Sequence, residues 1–217
     1  MTKRKAVIFD MDGLMIDSEQ LGLRIYLREA QDMGLTMTEE IYRKLLGTET
    51  ENVRRILCGY FPAEKVAQLV PRVEEAKKQH YLTGEIPVKK GLYALFDYLE
   101  EKGIKRIIAT SSPRARTAIV LEKIGLKHRL DGGAYGDEVQ HAKPNPEIFL
   151  NALKTAGTAP EETIILEDSY NGIRAANNAG IDVIMIPDML PPLAELPPLA
   201  VLDDLTQVID FLEGENG

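Results

Sequence analysis

Residues 103–125 read GIKRIIATSSPRARTAIVLEKIG, and this stretch decides the fold class. The run from Arg106 to Ala109 is too short for a helix and suits a buried strand. The period then changes. Ser112-Pro113 sets a capping side chain ahead of a proline, a helical pattern follows from Arg114 to Ile124, and Gly125 ends it. Strand, hydroxyl-bearing turn, helix and glycine together make one strand–helix unit.

The same unit recurs on both sides. Strand patterns lie at Ala6 to Phe9, Thr163 to Leu166 and Asp182 to Ile186, and helical patterns at Leu92 to Lys102, Ile148 to Ala156 and Gly172 to Ala179, each of these helices followed by glycine. Asn145-Pro146 repeats the capping signal. The alternation predicts an α/β fold, a Rossmann-like doubly wound parallel sheet whose active site lies beyond the carboxyl ends of its strands.

One region breaks the alternation. From Asp17 to Val88 the apolar positions, among them Leu21, Ile25, Leu45, Ile56, Leu57, Val66 and Leu69, follow a helical period throughout. This predicts a core of residues 1–16 and 89–217 and an inserted α-helical cap over residues 17–88. The linkers Leu14 to Ser18 and Glu85 to Lys90 are then the expected hinge. The proline-rich stretch Pro187 to Pro198 reads as a surface loop leading to a last helix over Asp203 to Leu212.

Composition narrows the function. With 44% hydrophobic and 28% charged residues, the 217-residue chain has the make-up of a folded globular protein. Its net charge of -8 opposes a nucleic-acid backbone. The single cysteine, Cys58, excludes an intrachain disulfide, points to a reducing, cytoplasmic compartment, and is expected to pack as a small hydrophobe. The N-terminus moves from basic residues straight into a strand pattern, without the features of a secretory leader, and no apolar run approaches the roughly 20 residues of a membrane span. A monomer working on a small molecule is the expectation, and His80, His128 and His141 lack metal-ligand spacing.

The chemistry gathers at the strand ends. Asp10 and Asp12 follow the first strand, Thr110-Ser111 the second and Glu167-Asp168 a later one, while Lys143 precedes a proline-led helix. So many carboxylates raise one another's pKa unless a cation is present, and an all-oxygen donor set suits magnesium. A lysine and hydroxyls among them suit a phosphate.

In this order DMDG (10–13), IIATSS (107–112), AKPNP (142–146) and ILEDS (165–169) resemble the four motifs of the haloacid dehalogenase-like superfamily. The insert between the first two resembles the helical cap of its β-phosphoglucomutase-like and small-metabolite phosphatase members. The resemblance implies Asp10 as the nucleophile that forms an aspartyl-phosphate and Asp12 as general acid and base. It implies Mg2+ bound by Asp10, the Asp12 carbonyl and Asp168, with Glu167 as an additional or supporting partner. Thr110 and Lys143 would hold phosphoryl oxygens, helped by the N–H groups of Met11, Asp12 and Ser111, while the Met11 side chain points away. Lys77 on the last cap helix would reach the substrate.

The implied activity is a magnesium-dependent phosphatase acting on a small phosphorylated metabolite such as a sugar phosphate. Asp12 argues against dehalogenation, which has no alkoxide to protonate. A sugar phosphomutase is the alternative, but β-phosphoglucomutases carry a histidine and a cap arginine where this chain has Gly22 and Thr50. A non-catalytic phosphoacceptor or binding protein is disfavoured by motif order and by the long insert.

Overall fold

The computed structural model describes residues 4–48 and 50–216, side chains at 50, 215 and 216 excepted. The chain divides into two compact units, Met1–Asp17 with Val88–Gly217 and, between them, Ser18–Pro87.

The first unit is built on six parallel strands, β1 (Ala6–Phe9), β2 (Lys105–Thr110), β3 (Gly132–Tyr135), β4 (Thr163–Glu167), β5 (Asp182–Met185) and β6 (Ala200–Val201), in the order β3-β2-β1-β4-β5-β6. The helices of this unit, in a chain numbering that begins in the second unit, are α5 (Leu92–Lys102), α6 (Arg114–Lys123), α7 (Glu147–Ala156), α8 (Tyr170–Ala179) and α9 (Thr206–Asn216). Every residue of β1 is buried, as a central parallel strand requires. Alternation along β1 sends its side chains to opposite faces. Ile8 packs in a cluster with Phe149 and Ala152 of α7 and Ile173 of α8, whereas the Phe9 ring lies 5.0 Å from Phe96 of α5. The sheet is therefore covered on both sides.

The strand order places the switch of direction at β1. The chain runs outward through β2 and β3, then returns to β4 on the other side of β1, so the ends of β2 and β4 flank the end of β1. In register, Phe9 lies opposite Ile108 and Leu166, which brings the next residues of all three strands to one edge.

Two strands escape the sequence pattern. β3 has the sequence GGAY, in which two glycines supply no apolar signal, and β6 is only two residues long. Ser112 is not the helix cap expected of it. Pro113 occupies the N-cap of α6 without a side-chain cap bond, because the Ser112 hydroxyl is engaged elsewhere. Asn145 does accept from the Glu147 N–H at 3.0 Å, and Ser169 caps α8 through the Gly172 N–H.

The second unit holds α1 (Ser18–Asp32), α2 (Glu39–Arg43), α3 (Thr50–Cys58) and α4 (Ala63–Thr83). The buried Glu29 of α1 accepts from Arg72 of α4 at 3.0 and 3.1 Å and from Arg28, which ties the two longest helices together. Cys58 is exposed, contrary to its expected packing, because the neighbouring Leu57 takes the inward position at the end of α3. A cavity of about 200 Å³ within this unit is lined by Glu19, Tyr26, Tyr42, Thr48, Glu74 and Lys77 with apolar neighbours.

The chain passes between the units at neighbouring points. Ile16 pairs with Val88 in an antiparallel bridge, and the Lys89 N–H donates to the Met15 carbonyl at 3.0 Å. Among the described residues no helix is long and apolar enough to cross a membrane.

Candidate active site

Asp10 continues β1 by one residue, and its N–H still bonds to the Leu166 carbonyl at 3.1 Å. The chain then turns at Gly13, whose φ of +85° is in the left-handed region open to glycine. A Cβ on Gly13 would stand 2.2 Å from Asp168 Oδ2, so the missing side chain also lets Asp168 approach the turn. Met11 is fully buried, with the apolar core residues.

Lys143 joins the strands from the opposite loop. Its ammonium donates to Asp10 Oδ1 and Glu167 Oε1, both at 2.6 Å, with the side chain only 6% exposed. The Phe149 ring lies 4.7 Å from the ammonium. The loop carrying Lys143 is pinned by Glu147, whose carboxylate accepts from the N–H groups of Gln140 and His141 at 2.9 and 3.0 Å. A lysine buried alone would lose its charge; here the two carboxylates more than offset that tendency and hold its pKa above the ordinary value.

Burial pushes the Asp10 carboxyl up to about 7, Lys143 opposes the shift, and the charges of Glu167 and Asp12 add to it. The strand ends thus bring more negative charge around Asp10 than Lys143 alone compensates. Glu167 is completely buried and fully engaged, for Oε2 accepts from the N–H groups of Asp168 and Ser169 and from the Ser169 hydroxyl, each at 3.0 Å. Gly172 makes room for it, since a Cβ there would lie 1.8 Å from Glu167 Oε1. Gly172→Ala is expected to lower stability by about 3 kcal/mol through overpacking, against at most about 1 kcal/mol returned by helix propensity. Chemical denaturation against wild type checks this, and an unchanged midpoint would mean that Glu167 can move aside.

Thr110 ends β2 with 1% exposure, its hydroxyl oxygen accepting from the Ser112 N–H at 3.1 Å while its own hydrogen remains available to another acceptor. Ser111, next to it, is exposed.

Asp12 is held by partners that its motif does not reveal. Oδ2 accepts from Ser112 Oγ at 2.8 Å and Arg116 Nη1 at 2.9 Å, and Oδ1 from Arg116 Nη2 at 2.6 Å. Arg116 looks in the sequence like any solvated helix residue; its place in the first turn of α6, just beyond the Thr110 turn, was the one available signal.

The structure therefore gathers Asp10, Asp12, Thr110, Ser111, Lys143, Glu167 and Asp168 at the carboxyl ends of the central strands. Lys77 belongs to the other unit, on α4, where it lines the cavity 3.4 Å from Glu74 Oε1 and 5.4 Å from the centre of the Tyr26 ring. The oxygen-only donors and uncompensated charge around Asp10 fit a hard divalent cation. Among the described residues no three acidic or histidine side chains are already drawn together as a cage, and Lys143 and Arg116 bind Asp10, Glu167 and Asp12 instead.

A family model described as haloacid dehalogenase-like hydrolase matches residues 7–186. A protein of Thermotoga maritima named "Phosphorylated carbohydrates phosphatase" is 34% identical over 183 residues, covering 83% of either chain. A solved structure titled "putative beta-phosphoglucomutase" from the same organism is 28% identical, with a TM-score of 0.81 over 97% of this chain and 99% of its own. A mutant of CbbY from Rhodobacter sphaeroides, solved in complex with Xylulose-(1,5)bisphosphate, is 25% identical with a TM-score of 0.73, covering 94% of this chain and 96% of its own.

Proposed function

We propose that this chain, which belongs to the haloacid dehalogenase-like hydrolase family, is a magnesium-dependent phosphatase that passes the phosphoryl group of a small phosphorylated carbohydrate to Asp10 and then to water. As an enzyme it is a hydrolase of phosphoric monoesters. The observation that carries the two-step reading is the difference between its neighbouring carboxylates: Asp10 is buried against Lys143, and Asp12 is more open and held by Arg116 and Ser112. Two carboxylates in unlike surroundings serve as nucleophile and proton carrier.

In the first step Asp10 attacks phosphorus while Lys143, the Thr110 hydroxyl and the N–H groups of Met11, Asp12 and Ser111 offer donors to the phosphoryl oxygens. Asp12 gives a proton to the departing alkoxide. In the second step it takes one from the water that attacks the aspartyl-phosphate. Magnesium, held by Asp10, the Asp12 carbonyl and Asp168, would neutralise phosphoryl charge. Glu167, with every carboxylate oxygen already bonded, supports Lys143 and the Asp168 loop.

Hydrolysis is favoured over mutation by the second unit. At Gly22, where the mutases carry histidine, a Cβ would meet the Tyr42 hydroxyl at 2.2 Å, and that hydroxyl donates to Glu19 at 2.9 Å. The side chain at Thr50 lies outside the described residues. The name of the Thermotoga maritima relative supports a carbohydrate substrate, and the polar cavity bearing Lys77 offers groups that could bind hydroxyls.

A panel of sugar phosphates and other small phosphomonoesters, assayed for phosphate with magnesium and with chelator, tests this reading. Phosphate release from sugar phosphates only with magnesium is expected. Faster interconversion of β-glucose 1-phosphate and glucose 6-phosphate than phosphate release would overturn the assignment in favour of a mutase.

A further inference from the structure

Asp12 lies on an open turn, with 26% of its side chain exposed, yet both of its carboxylate oxygens are fixed. The groups that fix it come from separate places: Ser112 from the turn after β2, and Arg116 from α6. Arg116 Nη1 also donates to Ser112 Oγ, so the three side chains close a ring of hydrogen bonds. A planar guanidinium matches two carboxylate oxygens at once, which a lysine ammonium in the same place would not.

Helix packing does not require this contact. α6 is anchored by the buried Thr117, Val120 and Leu121, whereas 31% of the Arg116 side chain is exposed. The fork instead binds Asp12 in the form that receives a proton, and it limits where that proton can be received. A general base contributes only when it is within hydrogen-bond reach of the proton it removes.

We infer that Arg116, together with Ser112, is a positioning residue that aims Asp12 at the water hydrolysing the aspartyl-phosphate. The inference rests on the two-step reading above. In that step a bond forms between the water oxygen and phosphorus, the bond from phosphorus to the Asp10 carboxylate breaks with its electron pair returning to Asp10, and the proton of the water passes to Asp12. The alkoxide-forming step depends less on Arg116 when the leaving group departs without a proton.

Steady-state and rapid-mixing kinetics with p-nitrophenyl phosphate and magnesium separate the steps. In a two-step hydrolysis kcat/KM reports only events up to formation of the aspartyl-phosphate, whereas slow hydrolysis lowers kcat and KM together. Arg116→Ala is expected to lower both about tenfold, leave kcat/KM within about twofold, and show a burst of nitrophenolate approaching one per active site. Ser112→Ala should do the same to a smaller degree and serves if the arginine variant folds poorly, as thermal unfolding would show.

A raised KM would make Arg116 a substrate-binding group, a fall in kcat/KM without a burst would place it in the first step, and unchanged kcat without a burst would leave it no role. Each result overturns the inference. Asp10→Asn distinguishes the deeper failure: if that variant still turned over, the aspartyl-phosphate reading would fall, whatever Arg116→Ala did.

Discussion

Lys143→Met is expected to lower phosphate release by about a hundred- to a thousandfold and stability by about 3 to 5 kcal/mol. The two losses have one cause. Asp10 and Glu167 each keep one oxygen 2.6 Å from the ammonium, and both side chains are almost wholly shielded from water. Methionine fills much of the volume without neutralising either carboxylate, so two buried acids are left facing each other and must either stay charged without a partner or take up a proton. Removing one partner of such a cluster is far costlier than the cluster is worth in a comparison with an apolar core. The midpoint of urea unfolding in chelator measures the stability loss and colorimetric phosphate release the other. The loss of stability should shrink as pH falls and Asp10 takes up a proton. A variant as stable as wild type at neutral pH would mean that the carboxylates reach solvent in a way their burial does not indicate.

Asp10→Asn is expected to lower turnover still further, by on the order of ten-thousandfold or more, but with the opposite effect on the fold. The Asp10 carboxyl is pushed up to about 7 by burial and by the charges of Glu167 and Asp12, against the pull of Lys143. A carboxyl whose pKa is raised on folding binds protons more tightly in the native state. Its contribution to stability is therefore full below the unfolded value of about 4 and is lost as pH rises through about 7. In chelator, wild type should lose stability across this window, and Asp10→Asn, which has no charge to develop there, should follow a flatter curve and be no less stable at pH 8. Unfolding midpoints from pH 4 to 8 for the two proteins decide the matter; parallel curves would show that Asp10 remains ionised throughout.

These effects are partly readable in the sequence and partly not, and the boundary follows from what sequence encodes. β1, β2, β4 and β5 announce themselves because the part of a strand buried on both faces is apolar, all four residues in β1 and the inner run of β2, β4 and β5. β3 does not, because Gly132 and Gly133 pair through their backbones and carry no side-chain signal; a Cβ on Gly133 would stand 2.4 Å from Ile108 Cγ2. Asp10, Thr110 and Glu167 stand at the ends of adjacent strands, so once the strands are recognised the side chains gather by register alone.

Arg116 and Ser112 lie on the other side of that boundary. A serine before a proline reads as a helix cap, and an arginine in a first helical turn reads as solvated; only the hydrogen bonds of the folded chain reveal that both side chains donate to Asp12. Cys58 departs from its expected burial for a similar reason. Residue type favours burial, but the face of a short helix is chosen by its neighbours, and Leu57 claims the inner one.

The bridge between Ile16 and Val88 has a consequence for how such a molecule can change over generations. Because the chain departs from the sheet and rejoins it at paired residues, whatever lies between them can be lengthened, shortened or replaced without altering the register of a single strand. The inserted unit can then vary under one set of selective pressures while the side chains at the strand ends are kept by another.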